Sequence, residues 1–192
     1  MTQHPDVKPP LSANIERLLT TDIEKIIVTM AQNLKARLDA HHVKDPAMVG
    51  IHSGGVWIAQ RLHALLGLQQ PLGSLDISFY RDDFVRIGIN PQVKPSHLPF
   101  NVDDHHIILV DDVLYTGRTI RAAFNEIFDY GRPAAITLVA LIDRNGRELP
   151  IQADIVGQHV DLPPDTHIKL TGPEPLALRL KNSISPIKYE KL

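Results

Sequence analysis

The residues with the clearest chemical potential lie in one short segment near the middle of the chain. An apolar run at 107–110 ends in two adjacent aspartates, Asp111 and Asp112, and the segment continues to the sequence Thr-Gly-Arg-Thr at 116–119. Neighbouring carboxylates are acceptors only, so they suit paired O–H donors such as the 2- and 3-hydroxyls of ribose. A helix that opens at 116–119 would offer free N–H groups, its positive dipole end and two threonine hydroxyls to a phosphate. The segment therefore predicts a site for a ribose 5-phosphate group.

The spacing within this segment indicates a single ligand. About four residues separate the carboxylates from the phosphate cradle, which at ~3.3 Å per residue matches the reach of one sugar 5-phosphate. Gly117 lets the backbone approach a phosphate without a Cβ in the way.

Three other interpretations compete with this one. The aspartates could cap a strand while Thr116 caps a helix, with no ligand at all. A Walker A loop would require Gly-x-x-x-x-Gly-Lys-Ser/Thr, and the segment has no such lysine. A receiver domain also places paired aspartates after an apolar strand, but it does not supply the Thr-Gly-Arg-Thr nest.

A parallel α/β sheet is the architecture that would position this segment. Apolar strands are predicted at 48–51, 75–79, 107–110 and 135–142, with weaker ones near 154–156 and 167–170. Between them, helical periodicity predicts a helix from a Thr21–Glu24 capping box, a second ending at Gly67, and a third ending at Gly131 with Ile120, Ala123, Phe124, Ile127 and Phe128 inward. Strands alternating with amphipathic helices predict a mainly parallel sheet covered on both faces.

Ligands of such sheets bind beyond the carboxyl ends of the strands. Three predicted strands end in polar turns, at 52–55 (His-Ser-Gly-Gly), at 111–119 and at 143–147. We therefore expect these three turns to converge on one binding site.

Composition narrows the class of protein further. The 192 residues are 43% hydrophobic and 22% charged, with a formal net charge of −2 and no cysteine. Disulfides and thiolate catalysis are thereby excluded, and the chain gives no bulk signal of nucleic-acid binding. The sequence contains neither a signal peptide nor a stretch apolar enough to span a membrane, so a soluble, cytoplasmic protein is expected. Its ten histidines show no metal-binding spacing, and Trp57 is expected to pack in the core.

The segment 107–119 resembles the signature of type I phosphoribosyltransferases. In full, its Val-Asp-Asp-Val-Leu-Tyr-Thr-Gly-Arg-Thr is similar to one branch, the bifunctional pyrimidine operon regulator/uracil phosphoribosyltransferase family. Further matches are Phe-Tyr-Arg-Asp-Asp at 79–83, Asp-Tyr-Gly-Arg-Pro at 129–133 and Ile-Asp-Arg at 142–144, followed by Arg-Glu-Leu-Pro-Ile at 147–151. The resemblance covers roughly residues 21–170.

The resemblance implies a type I phosphoribosyltransferase fold, with a flexible flap and a small hood, and roles for named residues. Asp111 and Asp112 would hold the ribose hydroxyls and, with Arg81, would be the catalytic residues. The implied substrate-binding residues are Ser53, Gly54 and Gly55 facing pyrophosphate, Tyr80 in the flap, Arg144 near the nucleotide, Ile168 in the hood, and the loop residues Val113, Leu114, Tyr115, Thr116, Gly117, Arg118 and Thr119.

The implied reaction is uracil plus phosphoribosyl pyrophosphate to UMP plus pyrophosphate. Its cofactor would be Mg²⁺, held mainly by the substrate with some contribution from Asp111 and Asp112. RNA is a further candidate partner, and the protein is expected to be a homo-oligomer, a dimer or higher. The expected divisions are an N-terminal arm at 1–20, the phosphoribosyltransferase domain at 21–172 with its flap at 80–104 and hood elements in 146–170 and the N-terminal region, and a tail at 173–192.

Two departures from the family pattern keep an alternative open. The pyrophosphate loop of the family usually reads Lys-Thr-Arg-Gly, and glycine at position 54 removes a bidentate phosphate donor. Two positions that are usually basic in the RNA-facing region are Gln152 and Gln158 here. The alternative function is a nucleotide-sensing, RNA-binding regulator of pyrimidine operon expression with weak or no catalysis, and a third is a transferase for a different base.

Overall fold

The computed structural model describes residues 22–77 and 96–182. Tyr80 and Arg81, most of the predicted flap, the N-terminal arm and residues 183–192 lie outside this part of the chain. The expectations for these residues remain predictions.

The fold is built on a five-stranded sheet with the order β2-β1-β3-β4-β5, in which every neighbouring pair is parallel. A separate two-stranded antiparallel sheet pairs β6 with β7. In chain order the elements are α1 (Ile23–Ala40), β1 (Ala47–Ile51), α2 (Gly54–Leu66), β2 (Gly73–Leu75), β3 (His106–Leu114), α3 (Arg118–Tyr130), β4 (Ala135–Arg144), β5 (Ile155–Val160), β6 (Thr166–Thr171) and β7 (Ala177–Asn182).

Alternate side chains of the strands supply the two apolar layers that cover the sheet. On one face, Val139 and Leu141 of β4 pack with α1 and α2, whereas Leu138 and Ala140 pack on the other face with α3. This two-residue period is the pattern of a strand that is buried on both sides. The predicted parallel sheet with helices on both faces is confirmed.

The start of α1 differs by one residue from the capping box predicted at Thr21. The N-cap residue is Asp22, whose carboxylate accepts a hydrogen bond from the amide of Lys25 at 3.3 Å. Aspartate is as good an N-cap acceptor as threonine, so two adjacent candidates compete and the sequence alone does not choose between them.

Several element boundaries also differ from the predicted ones. β3 continues through both aspartates to Leu114, and β2 begins at Gly73 rather than at position 75. Phe128, predicted to face inward on α3, is 57% exposed because the buried face of this helix is carried by Ile120, Ala122, Ala123 and Ile127. β7 lies in the segment assigned to a C-terminal tail and was not predicted.

The hairpin of β6 and β7 packs on the same side of the sheet as α1 and α2. Its inward residues Ile168, Leu170 and Leu178 are buried and belong to the apolar cluster of that side. The hairpin therefore lies beside the carboxyl end of the main sheet without adding a strand to it. Within the described residues, no helix has the length and apolar character needed to cross a membrane.

Candidate active site

The carboxyl end of β3 places the paired aspartates against the start of α2. Asp111 is 2% exposed, and its Oδ1 accepts a hydrogen bond from the amide of Asp112 at 2.9 Å. The side chain of Asp112 lies directly on Gly54, where an added Cβ would collide with the carboxylate. Gly55 is equally close to the carbonyl oxygen of Val110. The two glycines thus let the loop after β1 lie against the end of β3.

This contact accompanies the departure at position 54. The space that a side chain would need there is filled by the carboxylate of Asp112, so glycine fits and a larger residue would displace the acid. Ser53 is exposed and precedes α2 as its N-cap residue, without a side-chain capping bond. The turn at 52–55 therefore offers Ser53 and backbone groups to a ligand.

The phosphate loop connects β3 to the N-terminus of α3. Gly117 is the N-cap residue and has φ of 92°, a left-handed conformation that favours glycine. The hydroxyl of Thr116 accepts a hydrogen bond from the amide of Arg118 at 3.3 Å. The first-turn amides of α3 and its positive dipole end face the loop, which is the arrangement that binds phosphate groups.

The loop that follows β4 supports the phosphate loop from behind. The amides of Glu148 and Leu149 both donate to the carbonyl of Thr116, at 3.0 and 3.1 Å. Arg147 donates to the carbonyl of Tyr115 and to the carboxylate of Asp143. Three groups that are distant in sequence, two amides and one guanidinium, therefore fix the conformation of the loop.

Two further contacts complete this support. Arg118 pairs with Glu148 at 2.7 Å, although both side chains are about half exposed. Gly146, with φ of 105°, lies so close to the ring of Tyr115 that a Cβ would collide with it. We call residues 146–149 the support loop.

Arg144 connects the end of β4 to the hairpin. It is 3% exposed, and its guanidinium lies 3.9 Å from the ring centroid of Tyr115. Its Nη1 donates to the carbonyl of Thr166 at 2.5 Å and its Nη2 to that of Pro163 at 3.3 Å. Burial lowers the pKa of Arg144 from its ordinary value, and the carbonyl oxygens and the aromatic ring compensate part of the lost hydration.

A pocket of about 170 Å³ brings most of the predicted residues together. Its walls are the end of β3, the phosphate loop, the start of α3, Arg144 and the hairpin, through Asp111, Val113, Leu114, Tyr115, Thr116, Gly117, Thr119, Ile120, Arg144, His167 and Ile168. Of the predicted residues in the described part of the chain, Ser53, Gly54, Gly55, Asp112 and Arg118 do not line it. Asp112 nevertheless follows the pocket residue Asp111 in β3, and Gly54 lies against Asp112.

Sequence reasoning missed His167 and Ile120 as pocket residues. It predicted that the turn at 143–147, which includes the first part of the support loop, would lie at the site, but not the bonds from residues 147–149 to the phosphate loop. Ile120 was assigned to the core because it belongs to the apolar face of a helix. It is buried in the core and also lines the pocket. His167 precedes the predicted Ile168 on β6, and only the position of the hairpin brings it to the pocket.

A second, more open cavity of about 330 Å³ is also lined by Arg144. It is lined by residues at the ends of β4 and β5, among them Asp143, Arg147 and His159. The Nδ1 atom of His159 lies 3.4 Å from the Asp143 carboxylate. Neither the paired aspartates nor the phosphate loop reaches this cavity, so the smaller pocket is the better candidate for the ligand despite its size.

Carboxylates at the pocket determine which metal ion it could hold. Among residues 22–77 and 96–182, no group of three or more histidines or acids is placed to bind a metal ion. Asp111 and Asp112 supply hard oxygen donors, which suit Mg²⁺ that keeps most of its ligands from water and phosphate.

Comparison with known proteins agrees with this geometry. Residues 16–168 match the phosphoribosyl transferase domain family. A hypoxanthine phosphoribosyltransferase from Staphylococcus aureus superposes with a TM-score of 0.57 at 20% identity, covering 77% of this chain and 80% of that one. A hypoxanthine-guanine-xanthine phosphoribosyltransferase gives 0.54 at 21% identity, covering 72% and 74%. At these identities the superpositions establish the fold. The chain is therefore a type I phosphoribosyltransferase.

Relatives with higher sequence identity show which family within this class the chain belongs to. The bifunctional protein PyrR of Nitrosococcus oceani is 57% identical over 170 residues, covering 88% of this chain and 96% of the relative. The bifunctional protein PyrR of Pseudomonas aeruginosa is 57% identical over 157 residues, covering 82% and 92%. The chain belongs to the PyrR family, and the resemblance found in its motifs is confirmed.

Proposed function

We propose that this chain transfers the ribose 5-phosphate group of phosphoribosyl pyrophosphate to uracil, giving UMP and pyrophosphate. The observation that carries the proposal is the pocket where Asp111, the phosphate loop and Ile168 meet. A diol acceptor, a phosphate cradle and an apolar wall beside them correspond to the ribose, the phosphate and the base of one nucleotide.

The chemistry follows from where the charges lie. Asp111 and Asp112 accept hydrogen bonds from the ribose hydroxyls and orient C1 of the sugar. As the bond from C1 to pyrophosphate breaks, positive charge develops on the ring, and nearby carboxylates stabilise this oxocarbenium-like state. N1 of uracil forms the new bond to C1 as the bond to pyrophosphate breaks, and the N1 proton passes to the departing pyrophosphate or to water. Because uracil displaces pyrophosphate directly, no covalent enzyme intermediate is required.

Mg²⁺ is the cofactor that we assign to this reaction. When bound, it neutralises charge on the departing pyrophosphate. Asp111 and Asp112 are the described side chains that would contribute to its binding, with the remaining ligands from substrate and water. The flap residues Tyr80 and Arg81 are assigned to the site on the resemblance alone. They would cover the reacting groups and exclude water.

Pyrophosphate release from the purified full chain tests the proposal. We expect release that requires phosphoribosyl pyrophosphate, Mg²⁺ and uracil together. Hypoxanthine and guanine, offered in parallel, serve as controls for base choice and should give no comparable release. Release with a purine alone would reject uracil as the substrate, and no release with any base would reject the enzyme function.

We propose RNA-dependent regulation as a second function because the relatives are named bifunctional. Gln152 is exposed and Gln158 is half-buried, so both positions are accessible, but neither carries the basic side chain that is usual in the family. The proposal predicts RNA affinity that rises with UMP and falls steeply with salt, since phosphate contacts release counterions. RNA binding that is insensitive to UMP would contradict it.

A further inference from the structure

The turn of the β6–β7 hairpin is held by Arg61, a residue of α2 that lies outside the pocket. Its Nη2 donates to the carbonyl of Pro173 in the turn at 2.9 Å. Its Nε donates to the carboxylate of Glu24 on α1 at 2.8 Å, and its Nη1 donates to the carbonyl of Trp57 at 3.1 Å. One guanidinium thus joins two helices and the hairpin turn.

Trp57 forms the apolar part of the same contact. Its ring packs against Gly172, where an added Cβ would lie 3.0 Å from Cε3, and the neighbouring turn residue Leu176 packs against the same apolar cluster. The hairpin turn therefore packs at a defined position on α2.

The two ends of β6 are held by different arginines. Arg144 bonds the carbonyl of Thr166 where the strand begins, and Arg61 bonds the turn that follows its other end. Between them lie His167 and Ile168, the two hairpin residues that line the pocket. The position of this wall relative to the aspartates is thus set from both ends of one strand.

The helix that carries Arg61 also begins at the pyrophosphate-facing turn. Gly54, the first residue of α2, lies against Asp112, so one rigid helix contacts the acids at its start and the hairpin turn in its second half. A helix transmits position along its length with little deformation, whereas the turn itself has no pairing with the main sheet.

We propose that Arg61 is a positioning residue for the base, because it fixes the pocket wall formed by His167 and Ile168; the inference rests on the proposed transferase function and deepens it. Arginine suits this role because its planar fork supplies donors in several fixed directions, whereas lysine supplies a point charge on a flexible stem. The position of the wall formed by His167 and Ile168 depends on Arg61. The phosphate loop is fixed by the support loop, so its position does not depend on Arg61.

Steady-state kinetics of Arg61→Met, Arg61→Lys and Arg179→Met tests the proposal. Arg179 is a matched control, an exposed arginine on β7 of the same hairpin. For Arg61→Met we expect KM for uracil to rise about tenfold, while KM for phosphoribosyl pyrophosphate stays within about twofold. Arg61→Lys should lie between wild type and Arg61→Met, and Arg179→Met should match wild type. Equal increases in both KM values, or none in either, would overturn the proposal.

Fluorescence of Trp57 supplies a second test that does not depend on turnover. Trp57 is the only tryptophan of the chain, and its ring lies under the hairpin turn. We expect its emission to shift to longer wavelength in Arg61→Met and to stay unchanged in Arg179→Met. Unchanged emission in Arg61→Met would overturn the proposal even if the kinetics had changed. If wild type turns over no base, the proposed function fails, and the emission of the same variants still decides whether Arg61 positions the hairpin.

Discussion

At the scale of single residues, the contact between Gly54 and Asp112 determines what the pyrophosphate-facing turn can contain. The carboxylate occupies the space where a side chain at position 54 would begin. Overpacking a close contact of this kind costs about 1–3 kcal/mol when the neighbours can move. The neighbour here is one of the two acids assigned to the ribose, so its displacement has a functional consequence.

We therefore predict that Gly54→Ala lowers kcat/KM for phosphoribosyl pyrophosphate by at least about tenfold, because the new methyl group pushes Asp112 away from the sugar. Gly67→Asn is the control: Gly67 ends the same helix in a left-handed conformation that asparagine tolerates, and no atom lies near its added Cβ. Initial rates measure both variants. Wild-type kcat/KM in Gly54→Ala would show that Asp112 does not contact the sugar.

His106 is the residue for which the structure predicts a pH effect. Burial lowers its pKa below the ordinary value of 6.5, Arg37 and His41 lower it further, and Asp154 opposes them. Its Nε2 lies 2.8 Å from the hydroxyl of Thr137. Because the folded state binds a proton less readily than the unfolded chain, His106 has no destabilising effect above pH 6.5 and costs stability as the pH falls below it.

We expect His106→Gln to reduce the fall of Tm between about pH 7.5 and pH 5.5, since the amide keeps a polar group and cannot titrate. His97→Gln, at an exposed histidine, is the control and should follow wild type. Thermal unfolding across this range measures the effect. Parallel Tm profiles for His106→Gln and wild type would contradict the role assigned to His106.

The residues of the site divide into those that the sequence could reveal and those that it could not. Asp111, Asp112 and residues 116–119 lie in one contiguous segment and have types with a direct chemical reason, so a diol and a phosphate group could be assigned from the printed sequence. Val113, Leu114 and Tyr115 were assigned from the resemblance alone. Arg61 and Arg147 act through backbone carbonyls of distant segments, at Pro173 and Tyr115. Every residue has a backbone carbonyl, so no residue type in the sequence indicates these pairs.

At the scale of elements, the support loop and the phosphate loop form one unit. Arg147 pairs with Asp143 where both side chains are at most a quarter exposed, whereas Arg118 and Glu148 form a half-exposed pair. Exposed ion pairs contribute about 0–1 kcal/mol, and a partly buried arginine that satisfies a carbonyl and a carboxylate contributes more. The inner pair should therefore control the conformation of the phosphate loop.

We predict that Arg147→Met weakens UMP binding by about tenfold and that Glu148→Gln changes it by less than about threefold. The amide of Glu148 that bonds Thr116 is retained in the second variant, so only the exposed ion pair is lost. Titration calorimetry with UMP compares the two variants. A larger loss of UMP affinity in Glu148→Gln than in Arg147→Met would contradict this prediction.

Elements with a strong apolar period were predictable, and their ends were not. β4 follows directly from its uninterrupted apolar run, and the inward face of α1 follows from three- and four-residue spacing. The extension of β3 through Asp111 and Asp112 was hidden because acids are unusual within a strand. β7 was missed although Leu178 and Leu180 alternate with Arg179 and Lys181, which is the two-residue period of a half-buried strand. Its pairing with β6 is a tertiary feature that the sequence does not show.

At the scale of the whole molecule, two layers of apolar packing hold five parallel strand ends at one edge, and the pocket lies at this edge. The hairpin is the part that is added to this frame. Arg144 and Arg61 bond its two ends, and Ile168, Leu170 and Leu178 pack it against the apolar face of the sheet without strand pairing. Base recognition is thus separable from phosphate binding in this architecture. The homo-oligomer expected from the sequence stays a prediction, which the mass of the protein in solution measures.

Calorimetric titration of UMP against wild type, Asp112→Ala, Thr116→Ala and the exposed control Asp129→Ala tests the central claim most directly. We predict that each of the first two substitutions weakens UMP binding by at least about tenfold, because each removes one direct contact to the ribose or the phosphate. Asp129→Ala should bind as wild type does. Unchanged affinity in both Asp112→Ala and Thr116→Ala would contradict the placement of the nucleotide in this pocket.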